Sequence, residues 1–351
     1  MTADAAAPDC DIQRDAYLAI NDYALIGDCR CAVLISTQGS IDWWCLPHYS
    51  GPALFAALLD RRRGGRFAVR PAGRFGVQRR YVPHTNVLET RFTTDRGTLR
   101  LVDCMPIANA SERERRLYPQ REVLRIVECV AGAVDVEVIF EPRPYFGRVQ
   151  PRLRDRGALG WMVEYGSELV MLGSDAALSH RGDLSLGGIF RLRAGERRYF
   201  SCTYTSHDIG VVLPLGDHAE RRCSDTIAWW SRWCRGSGYD GPFADAVERS
   251  TLALKALTYG PSGAIVAAAT TSLPEALGGK RNWDYRYCWI RDASLCLSAF
   301  CEMGHPGEDE AFMGWLLSST RLTWPRLQIF YDIYGETSQK ERELDYLEGY
   351  C

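Results

Sequence analysis

The stretch REVLRIVECVAGAVDVEVIF, residues 121 to 140, decides how the N-terminal part of the chain is read. Val134, Val136 and Val138 alternate with Asp135 and Glu137. Successive side chains of a strand point to opposite faces, so this alternation describes a sheet with one dry and one wet face. Gly132 divides the stretch into two apolar runs, which read as a hairpin turning at that glycine. The same signature recurs nearby. CAVLIS (31 to 36) and SIDWWCLP (40 to 47) flank Gln38-Gly39, and NVLETRFTT and TLRLVDCMP flank Asp95-Arg96-Gly97. Repeated antiparallel hairpins from about residue 22 to 208 imply a β-sandwich. A short helix at PALFAALLD (52 to 60) is expected to interrupt it.

The period changes near residue 215. DHAERRCSDTIAWWSRWC (217 to 234) reads as a helix carrying Ile227, Trp230 and Trp233 towards one side. GSGYDGP (236 to 242) reads as a linker. FADAVERSTLALKALT (243 to 258) places Phe243, Val247, Leu254 and Leu257 at helical spacing, and Gly260-Pro261 stops it. A further helix is expected to open at Asp292 as N-cap and close at Gly304 and Pro306. Another, around 308 to 319, carries Phe312, Trp315 and Leu316. The organisation expected is therefore multidomain β + α. A β domain spans 1–214, a helix and glycine-rich linker span 215–240, and an α domain begins at 241–351.

Composition narrows the function. Of 351 residues, 46% are hydrophobic and 25% charged, a globular profile. A net charge of -2 gives no electrostatic reason to expect nucleic acid or a membrane surface as partner. Arg61-Arg62-Arg63 and ERERR (112 to 116) read as solvated surface. The N-terminus MTADAAAPDCDIQRDAYLAI is acidic and lacks a hydrophobic signal core, and no apolar run reaches membrane-spanning length. Thirteen cysteines are scattered without a CxxC pair, and Cys29 and Cys31 form a lone CxC at a strand start. They read as buried free thiols of a cytoplasmic protein, with no metal and no cofactor assigned.

RNWDYRYCWIRDASL (281 to 295) does not fit either a core or an ordinary surface. It combines Trp283, Tyr285, Tyr287 and Trp289 with Arg281, Arg286 and Arg291 and with Asp284 and Asp292. Sugars present apolar C–H faces, which rings cover, and a rim of hydroxyls. A carboxylate accepts from those hydroxyls and a guanidinium donates to them in fixed directions. Trp289, Arg291 and Asp292 supply that set within four residues. The plain alternatives are that Asp292 is only an N-cap, that Arg291 pairs with a local acid such as Asp284, and that Trp289 is core.

GAIVAAATTSLPEALGGKRNWDYRYCWIRDASL (263 to 295) closely resembles the opening of the catalytic domain of glycoside hydrolase family 15, the bacterial glucoamylase- and trehalase-like proteins. NDYALIGDCRCAVLISTQGSIDWWCLP (21 to 47) resembles the start of their N-terminal β-sandwich, and LQIFYDIYGE (327 to 336) and LDYLEGY (344 to 350) resemble later landmarks. Ala269 and PHYSG (47 to 51) depart from the family pattern. The resemblance implies the first part of an (α/α)6 toroid after the sandwich. It implies that Trp289, Arg291 and Asp292 line the subsite for the terminal glucose of an α-glucoside oligosaccharide or disaccharide. It also implies that Tyr285 sits near the reacting sugar.

The family reaction is inverting hydrolysis by a glutamate acid and base, whose carboxyls stand roughly 6.5–9.5 Å apart. Glu275, Glu302, Glu336 and Glu348 match neither catalytic motif. Both catalytic glutamates are expected beyond Cys351, so the chain alone is expected to be inactive. Glucoamylase-like release of glucose is the first reading. The rivals are a trehalase, a non-catalytic sugar-binding or vestigial fragment, and a structural domain that borrows the fold for protein contacts.

Overall fold

The computed structural model describes residues 17–107, 121–207, 209–337 and 340–350. ERERR and most of the acidic N-terminal stretch lie outside the described residues. The β region begins with β1 (Tyr23–Gly27), β2 (Ala32–Ser36), β3 (Ser40–Cys45), β4 (Ala53–Phe55) and β5 (Arg66–Pro71). It continues with β6 (Gly76–Tyr81), β7 (Leu88–Thr93), β8 (Gly97–Cys104), β9 (Glu122–Glu141) and β10 (Arg152–Asp155). β11 (Trp161–Tyr165), β12 (Glu168–Ser174), β13 (Ser179–His180), β14 (Leu186–Arg193) and β15 (Arg197–Ser206) complete it. Their pairings are antiparallel.

β9 is the axis of this region, and here the structure corrects the hairpin expected at Gly132. The strand does not reverse but runs on for 20 residues. Its first half pairs with β8 and β15, and its second half with β5 and β14. Gly132 has φ +71, and a Cβ there would lie 2.1 Å from the Arg96 carbonyl oxygen. The register with β8 shifts beside it. A positive-φ glycine within a strand makes a bend rather than a turn when both sides keep their partners.

The two arms that meet on β9 enclose one core. Val123, Val127, Val136 and Phe140 join Phe67, Phe92 and Phe200 in it, and the Phe67 and Phe200 rings lie 6.2 Å apart. Val134, Val136 and Val138 are buried while Asp135 and Glu137 are half-buried, the alternation legible in the sequence. The first half of β9 is buried on both faces, because Leu124 and Ile126 pack beneath Ala219 and Cys223 of the first helix. Arg125 is fully buried. It pairs with Asp103 at 2.7 Å and donates to the carbonyls of Phe67 and Gly39, so its charge is matched on several sides.

Residues 52 to 60 are not the expected helix. Ala53–Phe55 form β4 against Trp44 and Cys45, and the Asp60 carboxylate then accepts from the amides of Arg62 and Arg63 in a turn. A short apolar run does not by itself separate strand from helix.

Among the described residues four helices follow: α1 (Asp217–Cys234), α2 (Ala244–Ala256), α3 (Ile290–Glu302) and α4 (Pro306–Arg321). α1 matches its sequence reading at both ends. α2 begins one residue later than expected, since Phe243 is a left-handed N-cap and is 84% exposed. α3 starts two residues before Asp292, with Trp289 as N-cap, so Asp292 lies in the first turn and makes no capping bond. Phe300, Phe312, Trp315, Ile265 and Val266 form a core that also takes in Ala32 and Tyr49 of the β region. The Tyr49 hydroxyl donates to the Ala256 carbonyl at the end of α2. No helix among the described residues is long and apolar enough to cross a membrane.

Candidate functional site

The loop before α3 is held as a ribbon. The amides of Ala267 and Ala268 donate to the carbonyls of Tyr287 and Tyr285 at 2.9 and 2.8 Å, and Thr271 bridges Asp284. The Trp43 indole donates to the Ala269 carbonyl at 2.8 Å, tying the ribbon to β3. β16 (Cys288–Trp289) then pairs with β17 (Phe330–Tyr331), and the Ile290 amide donates to Ile329 at 3.1 Å. The backbone on either side of Trp289 is therefore fixed from two directions.

The charges of RNWDYRYCWIRDASL divide into two sets. Arg286 is buried. It meets Asp284 with Nη2 to Oδ2 at 2.7 Å and Nε to Oδ1 at 2.9 Å, and it donates to the Gly51 carbonyl at 2.7 Å. Burial works against its charge, but the Cys45 sulfur and the Asp284 carboxylate outweigh it and raise its pKa. This set is a structural anchor. Arg291, by contrast, pairs with its own neighbour Asp292, Nη2 to Oδ2 at 3.0 Å, and its side chain is 73% exposed against 33% for Asp292. Asp284 is thus engaged by Arg286, and the partner of Arg291 is Asp292.

Trp289 is half-buried between rings, 5.6 Å from Tyr285 and 5.2 Å from Phe330. Its indole Nε1 is buried and meets no hydrogen-bond acceptor among the described residues. The Tyr285 hydroxyl donates to Glu275 at 3.4 Å. Partial burial raises the Tyr285 pKa, as does the Glu275 carboxylate, while Arg291 lowers it and Asp292 raises it further. Tyr285, Trp289, Arg291 and Asp292 are therefore close enough to feel one another. The cluster gathers two rings, a carboxylate and a guanidinium, and each of the four residues keeps part of its surface exposed.

Sequence reasoning missed Phe330 and Glu275 as neighbours of this cluster. LQIFYDIYGE stood out as a landmark, but the pairing of β16 with β17 is what brings Phe330 to Trp289. In the same segment Asp332 accepts from the amides of Tyr334 and Glu336, both at 2.8 Å, and Tyr334 lies 5.6 Å from the His48 ring. A groove of about 780 Å³ lies elsewhere, between the β5–β6 and β7–β8 turns. Two carboxylates, Asp95 and Asp135, line it, and Asp135 is paired with Arg191 at 2.8 Å. The groove lining has one aromatic ring, Phe75, whereas the cluster around Trp289 groups several rings with a carboxylate and a guanidinium.

Residues 241–350 match the family described as "Glycosyl hydrolases family 15", and residues 13–177 match "Trehalase-like, N-terminal". A trehalase of Thermoplasma volcanium is 33% identical over 344 residues, which is 97% of this chain and 53% of that protein. A trehalase of Mycobacterium tuberculosis is 32% identical over 96% of this chain and 52% of its own length. The chain spans about half the length of the curated relatives it matches. A solved structure titled "Putative kojibiose phosphorylase from human microbiome" covers 85% of this chain and 46% of its own at 9% identity. Its TM-score of 0.44 is too low to assign a fold.

Proposed function

Residues 241–350 carry a glycoside hydrolase family 15 domain and residues 13–177 a trehalase-like N-terminal domain, and on that premise we propose that the chain takes part in trehalose hydrolysis. The relatives named trehalase favour this over the glucoamylase reading. We read the two arms on β9 as a β-sandwich, and α2, α3 and α4 as the opening of an (α/α)6 toroid.

The observation that carries the proposal is the accessible cluster of Tyr285, Trp289, Arg291 and Asp292, with Phe330 behind Trp289. One glucose ring of the disaccharide lies against Trp289. Arg291 and Asp292 exchange their mutual hydrogen bonds for bonds to its hydroxyls. Because these are charge-assisted bonds in a directed pair, they fix the orientation of the bound glucose ring. Tyr285 faces the same sugar.

Glycosidic cleavage also needs a positioned acid and a base that activates water. We assign neither role to these 351 residues. Glu275 is engaged by Tyr285 and Arg281, and Glu348 by Tyr17 of the β region. We read the chain as a sugar-holding part of the catalytic apparatus that binds trehalose without turning it over.

Glucose release from trehalose, maltose and soluble starch by the purified chain tests this. The proposal predicts no turnover above buffer, together with trehalose binding. Asp292-dependent glucose release would show that an acid and a base lie within these residues. An absence of both binding and turnover would overturn the proposal.

A further inference from the structure

His84, Cys234 and Glu248 stand far apart in the chain and come from three different elements: the turn after β6, the last residue of α1, and α2. One donor atom of each lies within 4.8 Å of the other two. His84 Nδ1 is 2.8 Å from Glu248 Oε2. Cys234 is buried at 5% exposure, whereas the His84 and Glu248 side chains are 57% and 34% exposed, so the group opens to solvent on one side only. We propose that these three side chains bind a borderline divalent cation of the zinc class, which clasps the β region to the junction of α1 and α2.

The donor set is one imidazole nitrogen, one sulfur and one carboxylate oxygen. Zinc takes such mixed sets in tetrahedral geometry, with water in a fourth position where only three protein ligands are present. Hard cations such as magnesium prefer oxygen alone, and the thiolate selects against them. With bonds of about 2.0–2.3 Å, tetrahedral ligand atoms stand roughly 3.3–3.8 Å apart. Small side-chain rotations bring the three donors into that range, since they already sit within 4.8 Å.

The supports of the donors are fixed beforehand. His84 has φ +63, in the left-handed region that only a few per cent of non-glycine residues adopt, histidine among the more frequent. The turn holding it there is pinned to α2. Arg249 donates to the Thr85 carbonyl at 2.7 Å and to the Asn86 side chain, and Asn86 Nδ2 donates to the Leu252 carbonyl at 2.9 Å. Arg249 in turn lies 4.0 Å from the Tyr81 ring at the end of β6. Bonds of this kind behind a ligand set orient the ligands and lower the cost of assembling them. His84 is thus brought over Glu248 by contacts in which neither residue takes part.

The test is titration of the chelator-stripped full chain with zinc by calorimetry, and with cobalt(II) by absorbance. The proposal predicts one tight zinc equivalent and a thiolate-to-cobalt charge-transfer band. His84→Ala should weaken that equivalent by at least ~100-fold, the upper end of what even an outer-shell change costs. His84 is largely exposed, so this variant is expected to fold, and circular dichroism checks that it does. Cys234→Ser should abolish the cobalt band. Zinc should raise the unfolding midpoint of the parent chain and not of the folded His84→Ala variant. If parent and His84→Ala bind zinc equally, or if neither takes up a stoichiometric equivalent, the three groups form only an ion pair beside a thiol and the proposal fails.

Discussion

Arg286 and Asp284, two residues apart, form a two-point ion pair, with Nη2 to Oδ2 at 2.7 Å and Nε to Oδ1 at 2.9 Å, and Arg286 continues to the Gly51 carbonyl. This pair takes one arginine and one aspartate of the aromatic-rich loop out of the functional account. It welds the loop to the β region. Removing one partner of a buried pair strands the other, at about 3–5 kcal/mol. Asp284 is 29% exposed on its side chain, so Asp284→Ala is expected to cost the lower end of that range. Urea unfolding would show a lower midpoint. An unchanged midpoint would mean that Arg286 finds equal partners without Asp284.

Phe330 is predicted to act through Trp289. Their rings are 5.2 Å apart at 30°, and an aromatic pair contributes about 0.5–1.5 kcal/mol beyond its buried area. Phe330→Ala should therefore weaken trehalose binding by roughly two- to tenfold. Fluorescence titration of the variant, with Phe330→Leu as a size control, measures this. Equal affinity in all three proteins would remove Phe330 from the site.

A pH prediction follows from His48. Burial first, and the Arg121 charge second, lower its pKa from 6.5 to about 4, against an opposing pull from Asp332. A histidine depressed in the folded state stabilises the fold while neutral. That contribution is complete above the unfolded value of 6.5 and is lost as pH falls towards 4. Unfolding midpoints measured between pH 7 and 4 should fall more steeply in the parent than in His48→Gln. Parallel curves would contradict the assignment.

The helical part is predicted to be less protected than the β region. Leu295, Leu317, Leu322, Trp324, Leu327 and Ile329 are each more than half exposed, an apolar surface of the kind that invites association. β9 has partners on both sides along its length. Hydrogen exchange followed by mass spectrometry should show the amides of α3 and α4 exchanging faster than those of β9. Equal protection would show that local packing in the helices suffices.

Much of this was legible in the sequence, and the failures have physical causes. α1 was readable because its apolar residues recur at helical spacing over 18 residues. The strands around Gly39 and Gly97 were readable from alternation and turn chemistry. Gly132 misled because two apolar runs about a glycine look alike whether the chain reverses or bends, and only the partners on both sides of β9 decide. PALFAALLD misled because eight apolar residues in a row suit either a helix or a buried strand and turn. Within the site, Arg291 was singled out with Asp292, but the anchoring role of Arg286 was not legible, since both arginines sit near an aspartate. Burial separates them. The His84, Cys234 and Glu248 group has no short spacing to find, because three elements bring it together.

The central claim is that Arg291 and Asp292 hold a sugar. Calorimetric titration of the purified chain with trehalose, beside Asp292→Ala, tests it most directly. A lost charge-assisted hydrogen bond costs about 1.5–3 kcal/mol. The account therefore predicts saturable trehalose binding that weakens roughly tenfold or more in Asp292→Ala, with the variant's unfolding midpoint unchanged. Trehalose binding of equal strength in parent and variant, or no binding to the parent, would contradict it.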